Sequence, residues 1–238
     1  MDVTFDGQPP ALLRRRAVHL LDADPDLGEG LDTEARTAAG RYLVVEVEQL
    51  PPGPWAVSMG GGEGLLGLLV LEGIMTRQLR LESRTVTELL GPGDVLRPWH
   101  HDEVHPEIEV GWRAHEPVSL AVLDRRLMLV AAKWPVLGEA LFDRALRRAR
   151  TLAVNLAVTQ LVGIDRRLLL LFWDCAERWG RVAPDGVHVS LPLTHRTLAE
   201  IVGARRPTVS IALGELTKRG ELARSGDDWI LKGERVTA

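Results

Sequence analysis

Cysteine is almost missing: Cys175 is the one thiol in 238 residues. A lone cysteine excludes an internal disulfide, a CxxC zinc site and a four-cysteine iron–sulfur cluster held by one chain. Its apolar setting, LLLLFWDCAERW, points to a buried, inert thiol. Long hydrophobic runs are also lacking. No stretch of about 18 apolar residues occurs, so no membrane-spanning helix is expected. The apolar start ALLRRRAVHLL is broken by three arginines and has no small-residue cleavage pattern, so a cytoplasmic chain is expected.

Charge of one sign is in short supply too. The net charge of −4 argues against a chain coated in nucleic-acid-binding charge, but the charge is unevenly spread. Residues 1–164 carry 17 Lys+Arg against 23 Asp+Glu, and residues 165–238 carry 12 against 10. Within Thr194–Arg224 the ratio is 6 basic to 3 acidic. What is present in quantity is apolar residue, 45% of the chain, enough for two modest cores.

From Arg41 to about Arg126 short β-like runs alternate with glycine and proline turns: RYLVVEVEQL before PPGP, LLGLLVLEGIMTRQLRL with a turn or bulge at Gly73, SRTVTELL before GPGDV, then VSLAVLDRRLMLV. This spacing predicts a sandwich or barrel of the jelly-roll kind. Gly60–Gly62 has no following Lys-Ser/Thr and reads as a turn, not a phosphate cradle. A long helix is expected from Trp134 or Pro135 to about Val162, with proline in its first turn. Leu141, Ala145, Ala149, Leu152 and Leu156 fall on one stripe, and Arg144, Arg147, Arg148 and Arg150 on the other face. So narrow an apolar seam on so long a helix predicts a partner helix, and hence a homodimer; packing on its own β-domain is the alternative.

After Gly163 the pattern is helix, loop or short strand, helix, turn, helix and a small hairpin. Thr194 is a good N-cap, Gly203 a stop, and Ala204-Arg205-Arg206 a turn, with Pro207 at a first helical position. Val209, Leu213 and Leu216 form the buried face. Pro207, Ile211, Gly214 and Lys218 then point outward, flanked by Thr208 and Ser210. Two short helices, a tight turn and a wing predict a winged helix-turn-helix that binds double-stranded DNA. Arg205 and Arg206 lead the groove-entering helix, where arginine reads guanine or clamps phosphate. Ile211 can meet a thymine methyl, or be a scattered surface residue. His195 and Arg196 are placed for the phosphate backbone.

The pattern T-x-x-x-LA-x-x-VG-x-x-R-x-TVS-x-x-L-x-x-L-x-x-x-G-x-L, from about Leu193 to Arg224, resembles the helix-turn-helix of the Crp/Fnr (catabolite activator) family of bacterial transcription regulators. Coarser likeness covers the LLGPGDV turn, Asp124-Arg125 before the helices, the long helix and the wing. The resemblance implies an α+β fold: a cupin-like β-roll effector domain (1–132), a dimerisation helix (133–163) and a winged helix-turn-helix (164–238). It places Arg206 on the family's leading base-reading arginine, and implies RNA polymerase as a further partner if the chain activates. Pro207 stands where the family has glutamate, and Ile211 where it has a second base-reading arginine, so a different operator is expected. Where nucleotide-binding members carry a helix ending in Arg-Ser/Thr, this chain has RPWHHDEVHPEIEVGW, and cyclic-nucleotide control is not expected.

That replacement stretch brings its own alternative. His100, His101, His105, Glu107, Glu109 and His115 are possible metal ligands, and on a strand His105, Glu107 and Glu109 would share a face. A metal-dependent cupin-type enzyme or metal sensor is therefore the second reading; a solvated acidic loop is the plain one. The sequence requires no cofactor and leaves the effector unknown. A homodimeric, sequence-specific DNA-binding regulator, not an enzyme, is the principal reading.

Overall fold

The computed structural model describes residues 15–57, 64–99, 107–226 and 228–233. Two antiparallel sheets build the N-terminal unit. The first has the order β1-β2-β9-β4-β7, from Arg15–His19, Val44–Leu50, Val118–Asp124, Leu65–Glu72 and Val95–Leu96. The second runs β3-β8-β5-β6, from Gly53–Pro54, Glu109–Ala114, Met75–Leu81 and Arg84–Leu90. Leu68, Val70, Met75, Leu90, Trp112 and Leu120 fill the space between them. The turn expected at Gly73 is there, with φ 87° where an L side chain is strained. Strand β1 and the helices α1 (Leu20–Ala23) and α2 (Thr33–Gly40) precede the first expected strand and escaped the sequence reading.

One expectation is corrected. VSLAVLDRRLMLV is not one strand, because the chain leaves the sheet at Asp124 and continues as helix α3 (Arg125–Lys133). The Asp124 carboxylate accepts the Arg126 backbone N–H at 2.9 Å, capping the helix, and Leu127 and Val130 bury one turn apart. The long helix α4 runs Pro135–Thr159, about 37 Å at 1.5 Å per residue. Leu137 and half-buried Leu141 pack onto the β-domain. The arginines expected on the far face do not all point away. Arg144 is buried and pairs through both terminal nitrogens with Asp24, one bond being 2.8 Å. Arg148 grips Glu88 through two bonds, 2.6 and 2.9 Å, and the Val95 carbonyl.

Helix α5 (Ile164–Trp179), strands β10 (Arg181–Ala183) and β11 (Gly186–Ser190), helices α6 (His195–Ile201) and α7 (Arg206–Lys218), and hairpin β12 (Leu222–Ser225) and β13 (Asp228–Leu231) form the C-terminal unit. Its four strands make one sheet, β10-β11-β13-β12. Cys175 is fully buried in its core, and burial pushes the thiol pKa upward, as an inert cysteine requires. Ile74 and Leu89 of the β-domain belong to the same apolar cluster as Leu168, Phe172 and Leu198. Trp179 donates its indole N–H to the Pro92 carbonyl at 3.0 Å, and Arg178 bonds Asp94 at 2.6 Å. A Cβ on Gly91 would lie 2.5 Å from the Trp179 ring, so the glycine is needed for that seat. No described helix is long and apolar enough to cross a membrane.

The buried Arg144–Asp24 pair generates a stability prediction. Asp24→Ala leaves a guanidinium buried without its partner and removes the carboxylate that caps Leu27, so it should cost about 3–5 kcal/mol. The double variant Asp24→Leu, Arg144→Met should recover most of that in urea denaturation. A double variant no more stable than Asp24→Ala would show that the pair does not hold α4 in place.

Candidate nucleic-acid interface

The surface at α6 and α7 is built from local signals. Thr194 accepts the Thr197 backbone N–H on its hydroxyl at 3.1 Å, which starts α6 where the sequence predicts. Leu198, Ala199 and Ile201 bury. Gly203, at φ 64°, ends the helix and lets the Ala204 N–H reach the Ala199 carbonyl at 2.8 Å. Helix α7 begins at Arg206, one residue earlier than expected, because Arg205 already takes the extended N-cap conformation. Val209, Leu213 and Leu216 are buried as predicted, and Ala212 joins them against α5.

The other side of α7 is open to solvent: Arg205, Arg206, Pro207, Thr208, Ser210, Ile211, Gly214 and Lys218 are all exposed. Ile211 keeps 67% of its surface accessible. A glycine inside a helix costs about 1 kcal/mol relative to alanine, yet a Cβ on Gly214 would meet nothing within 4 Å. Its own fold therefore gives no reason for the missing side chain. Lys218 is tied to Glu215 at 2.7 Å, and that bond holds its ammonium pKa above the ordinary lysine value.

Four of the expected contact residues, Thr194, His195, Arg196 and Ser210, are engaged within the protein. His195, half-buried at the start of α6, has Nδ1 2.9 Å from the Ser210 hydroxyl, which also lies 3.2 Å from the Arg206 carbonyl. Arg196 points its guanidinium at Glu200 at 3.1 Å, and the other oxygen of Glu200 accepts from Gln78 of β5 at 2.7 Å. Arg205 and Arg206 have no hydrogen bond or ion pair from their side chains to any described residue. The Gln78–Glu200 link was invisible in sequence, since 122 residues separate the two. In the wing, the Trp229 ring packs 4.9 Å from Phe172, and the Arg224 guanidinium lies 4.7 Å from its centre. Asp227 lies outside the described residues.

Helix α4 presents a second surface. Ala145, Ala149, Leu152 and Leu156 are exposed along it, but Leu141 leans on the β-domain and drops out of the seam. The solvent stripe is centred instead on Phe142, Leu146, Ala149, Ala153 and Leu156, at spacings of 4, 3, 4 and 3. That is a heptad pattern. Phe142 and Leu156 are 64% and 68% exposed. The spacing was readable in sequence; which side α4 turns to the β-domain was not.

The metal-ligand set does not assemble among the described residues. His100, His101 and His105 lie outside them, and Glu107 sits exposed in a turn before β8, not on a strand. Glu109 pairs with Arg80 at 3.3 Å. His115 bonds the Thr76 hydroxyl through Nε2 at 3.0 Å, and burial together with the Arg113 charge holds its pKa down at about 4. Among the described residues no three His, Cys, Asp or Glu side chains are grouped to hold a metal.

Residues 166–234 match the profile of the Crp-like helix-turn-helix domain. The chain thus carries a Crp-like helix-turn-helix domain. It is 24% identical over 143 residues to a "CRP-like cAMP-activated global transcriptional regulator" of Mycobacterium tuberculosis, a match covering 60% of this chain and 64% of that relative. Less than two thirds of the relative is therefore matched. The whole fold is similar to CooA of Carboxydothermus hydrogenoformans, with a TM-score of 0.62, 18% identity and 91% of each chain covered. It is similar also to FixK2 of Bradyrhizobium japonicum, with a TM-score of 0.60, 21% identity, and 80% and 94% covered. The fold of these structures, a β-roll, a long helix and a winged helix-turn-helix, is thus shared along the described chain.

Thr194→Ala removes the hydroxyl cap of α6 and should lower stability by about 1 kcal/mol, while Thr194→Asn should retain most of it. Equal denaturation midpoints for Thr194→Ala and the unaltered protein would show that the cap bond carries no weight.

Proposed function

We propose that this protein is a Crp/Fnr-type, sequence-specific DNA-binding transcription regulator acting as a homodimer on pseudo-palindromic sites. The observation that carries the reading is the outer face of α7. It has two unengaged arginines at its leading end, a small centre, and a glycine whose missing side chain serves nothing inside the fold. A face of that shape enters a major groove deeply, with Arg206 reading base edges, Arg205 at the groove mouth, and Thr208 and Ile211 along the floor. Ser210, bonded inside the protein, positions α7 more than it reads bases. Thr194, His195 and Arg196 follow the phosphate backbone. The unit boundaries fall at 132 and 163, and the setting is cytoplasmic. RNA polymerase is the further partner if the protein activates.

The heptad stripe of α4 supplies the dimer. Ala149 and Leu156 belong to it, with Ala145 and Leu152 exposed alongside, and two-fold symmetry then sets half-sites about 34 Å apart. The effector is outside this reading: activation by cyclic AMP is a property of the mycobacterial relative, and the segment after the GPGD turn keeps the composition that argues against it here. A metal-dependent enzyme has no support among the described residues.

Leu156→Glu places a charge on a residue with no packing role in its own chain, so folding should be intact. Sedimentation should show monomers, and binding to a site recovered by oligonucleotide selection should weaken strongly. A fully dimeric Leu156→Glu protein would put the dimer elsewhere.

Arg206→Ala should cost about 1–3 kcal/mol on the selected site and relax preference at one base pair per half-site, with a clearly smaller effect on scrambled DNA. Arg196→Ala should weaken both DNAs alike and lower the salt slope by about one per subunit, through one fewer released counterion. Equal losses on both DNAs for Arg206→Ala would make that arginine a clamp and leave specificity to its neighbours.

A further inference from the structure

One side-chain bond joins α6 to α7 on the face proposed to meet DNA: His195 Nδ1 to the Ser210 hydroxyl, 2.9 Å. A serine hydroxyl has one proton to give. Ser210 lies within reach of the carbonyl one helical turn back, at Arg206, 3.2 Å away, the back-bond that hydroxyls make inside helices. With the proton placed there, the imidazole must be the donor across the helices, Nδ1–H to Oγ. A neutral ring protonated at Nδ1 carries a bare lone pair at Nε2. No described residue bonds that Nε2.

A bare lone pair facing a phosphate oxygen is two acceptors opposed. A second proton turns the same atom into a charged donor, and such bonds to phosphate are among the stronger ones available to a side chain. No described carboxylate bonds the ring within the protein. Arg196 is the next residue on α6, and its charge is answered by Glu200, not shared with the ring. Arg205 and Arg206 begin α7 beside Ser210, with no carboxylate bonded to either. From the β-domain side, Gln78 of β5 reaches Glu200 and brings no charge. A phosphodiester set against Nε2 would favour the charged ring. Histidine is the side chain whose charge changes between about pH 5 and 8, so the exchange falls in an accessible range.

We propose that His195 is a proton-linked phosphate clamp: it takes up a proton when the α6–α7 unit meets the DNA backbone, while its Nδ1–H holds Ser210 and with it the setting of α7. This inference rests on the DNA-binding reading above. It adds that affinity depends on pH through one residue per subunit. The sign follows from linkage: the bound form holds more protons, so affinity is greatest at low pH and is lost as pH rises.

The test is fluorescence-anisotropy titration of the full-length dimer against a duplex carrying its selected site and a scrambled duplex, from pH 6 to 8.5 at fixed ionic strength. Kd should rise about tenfold or more over that range for both duplexes, since a phosphate contact is sequence-independent. His195→Gln, which cannot titrate, should bind independently of pH with the weak affinity of the unaltered protein at pH 8.5. His195→Arg, a permanent cation, should also ignore pH but keep the tight affinity seen at pH 6. Binding by the unaltered protein that does not change with pH overturns the proposal. So does a His195→Gln protein that retains the full pH dependence, which would move the titrating group elsewhere, for example to His188 near the wing sheet. If neither duplex is bound at any pH, the DNA-binding reading fails and this inference falls with it. pH-independent binding sinks the inference alone.

Discussion

One carboxylate, that of Asp94, joins the two halves of the chain. It accepts the Gly91 backbone N–H at 2.9 Å, closing its own turn, and the Arg178 guanidinium at 2.6 Å, anchoring the end of α5. Burial pushes its pKa upward against the lowering pull of Arg178, so the ion pair is what justifies a charge at that depth. Around it, Trp179 fits over Gly91 because no Cβ is there, and Ile74 and Leu89 extend the core of the winged unit into the β-domain. This seat sets the orientation of α5, and α5 carries α7, while Gln78 ties α6 directly to β5 through Glu200.

Helix α4 sorts its residues in the reverse of the usual order. Two of its charged groups, Arg144 and Arg148, go inward to Asp24 and Glu88, and much of its apolar surface goes outward as a heptad stripe. Bidentate arginine bonds fix rotation and register about the helix axis more sharply than apolar packing does, since two parallel bonds must both be satisfied. The β-domain thereby aims the stripe toward solvent.

At the α6–α7 surface, chemistry is economical. Ser210 and Arg196 look from their types like two more DNA contacts, but both are already bonded within the protein, one to His195 and the other to Glu200. Ser210 is thereby bonded across to α6 and Arg196 within α6, whereas Arg205, Arg206 and Ile211 have no side-chain bond to a described residue.

The helix-turn-helix was legible in the sequence because its signals are local. The Thr194 cap, the Gly203 stop, Pro207 in a first turn and the 4-and-3 spacing of Val209, Leu213 and Leu216 each act within a few residues, through hydrogen bonds and steric limits on the backbone. The β-runs from Arg41 onward were legible for the same reason, although Asp124 turned the last of them into a helix by offering its carboxylate to the next turn. Tertiary structure alone decided the partners of charged side chains. Arg144 meets Asp24 across 120 residues and Gln78 meets Glu200 across 122, and helical periodicity says only that a face exists, not what it will touch. It also parted His115 from Glu107, turning the histidine to Thr76 while Glu107 stayed in a turn outside the strand. Long-range pairing depends on the summed geometry of every element between two residues, and no local pattern of residue types encodes that sum.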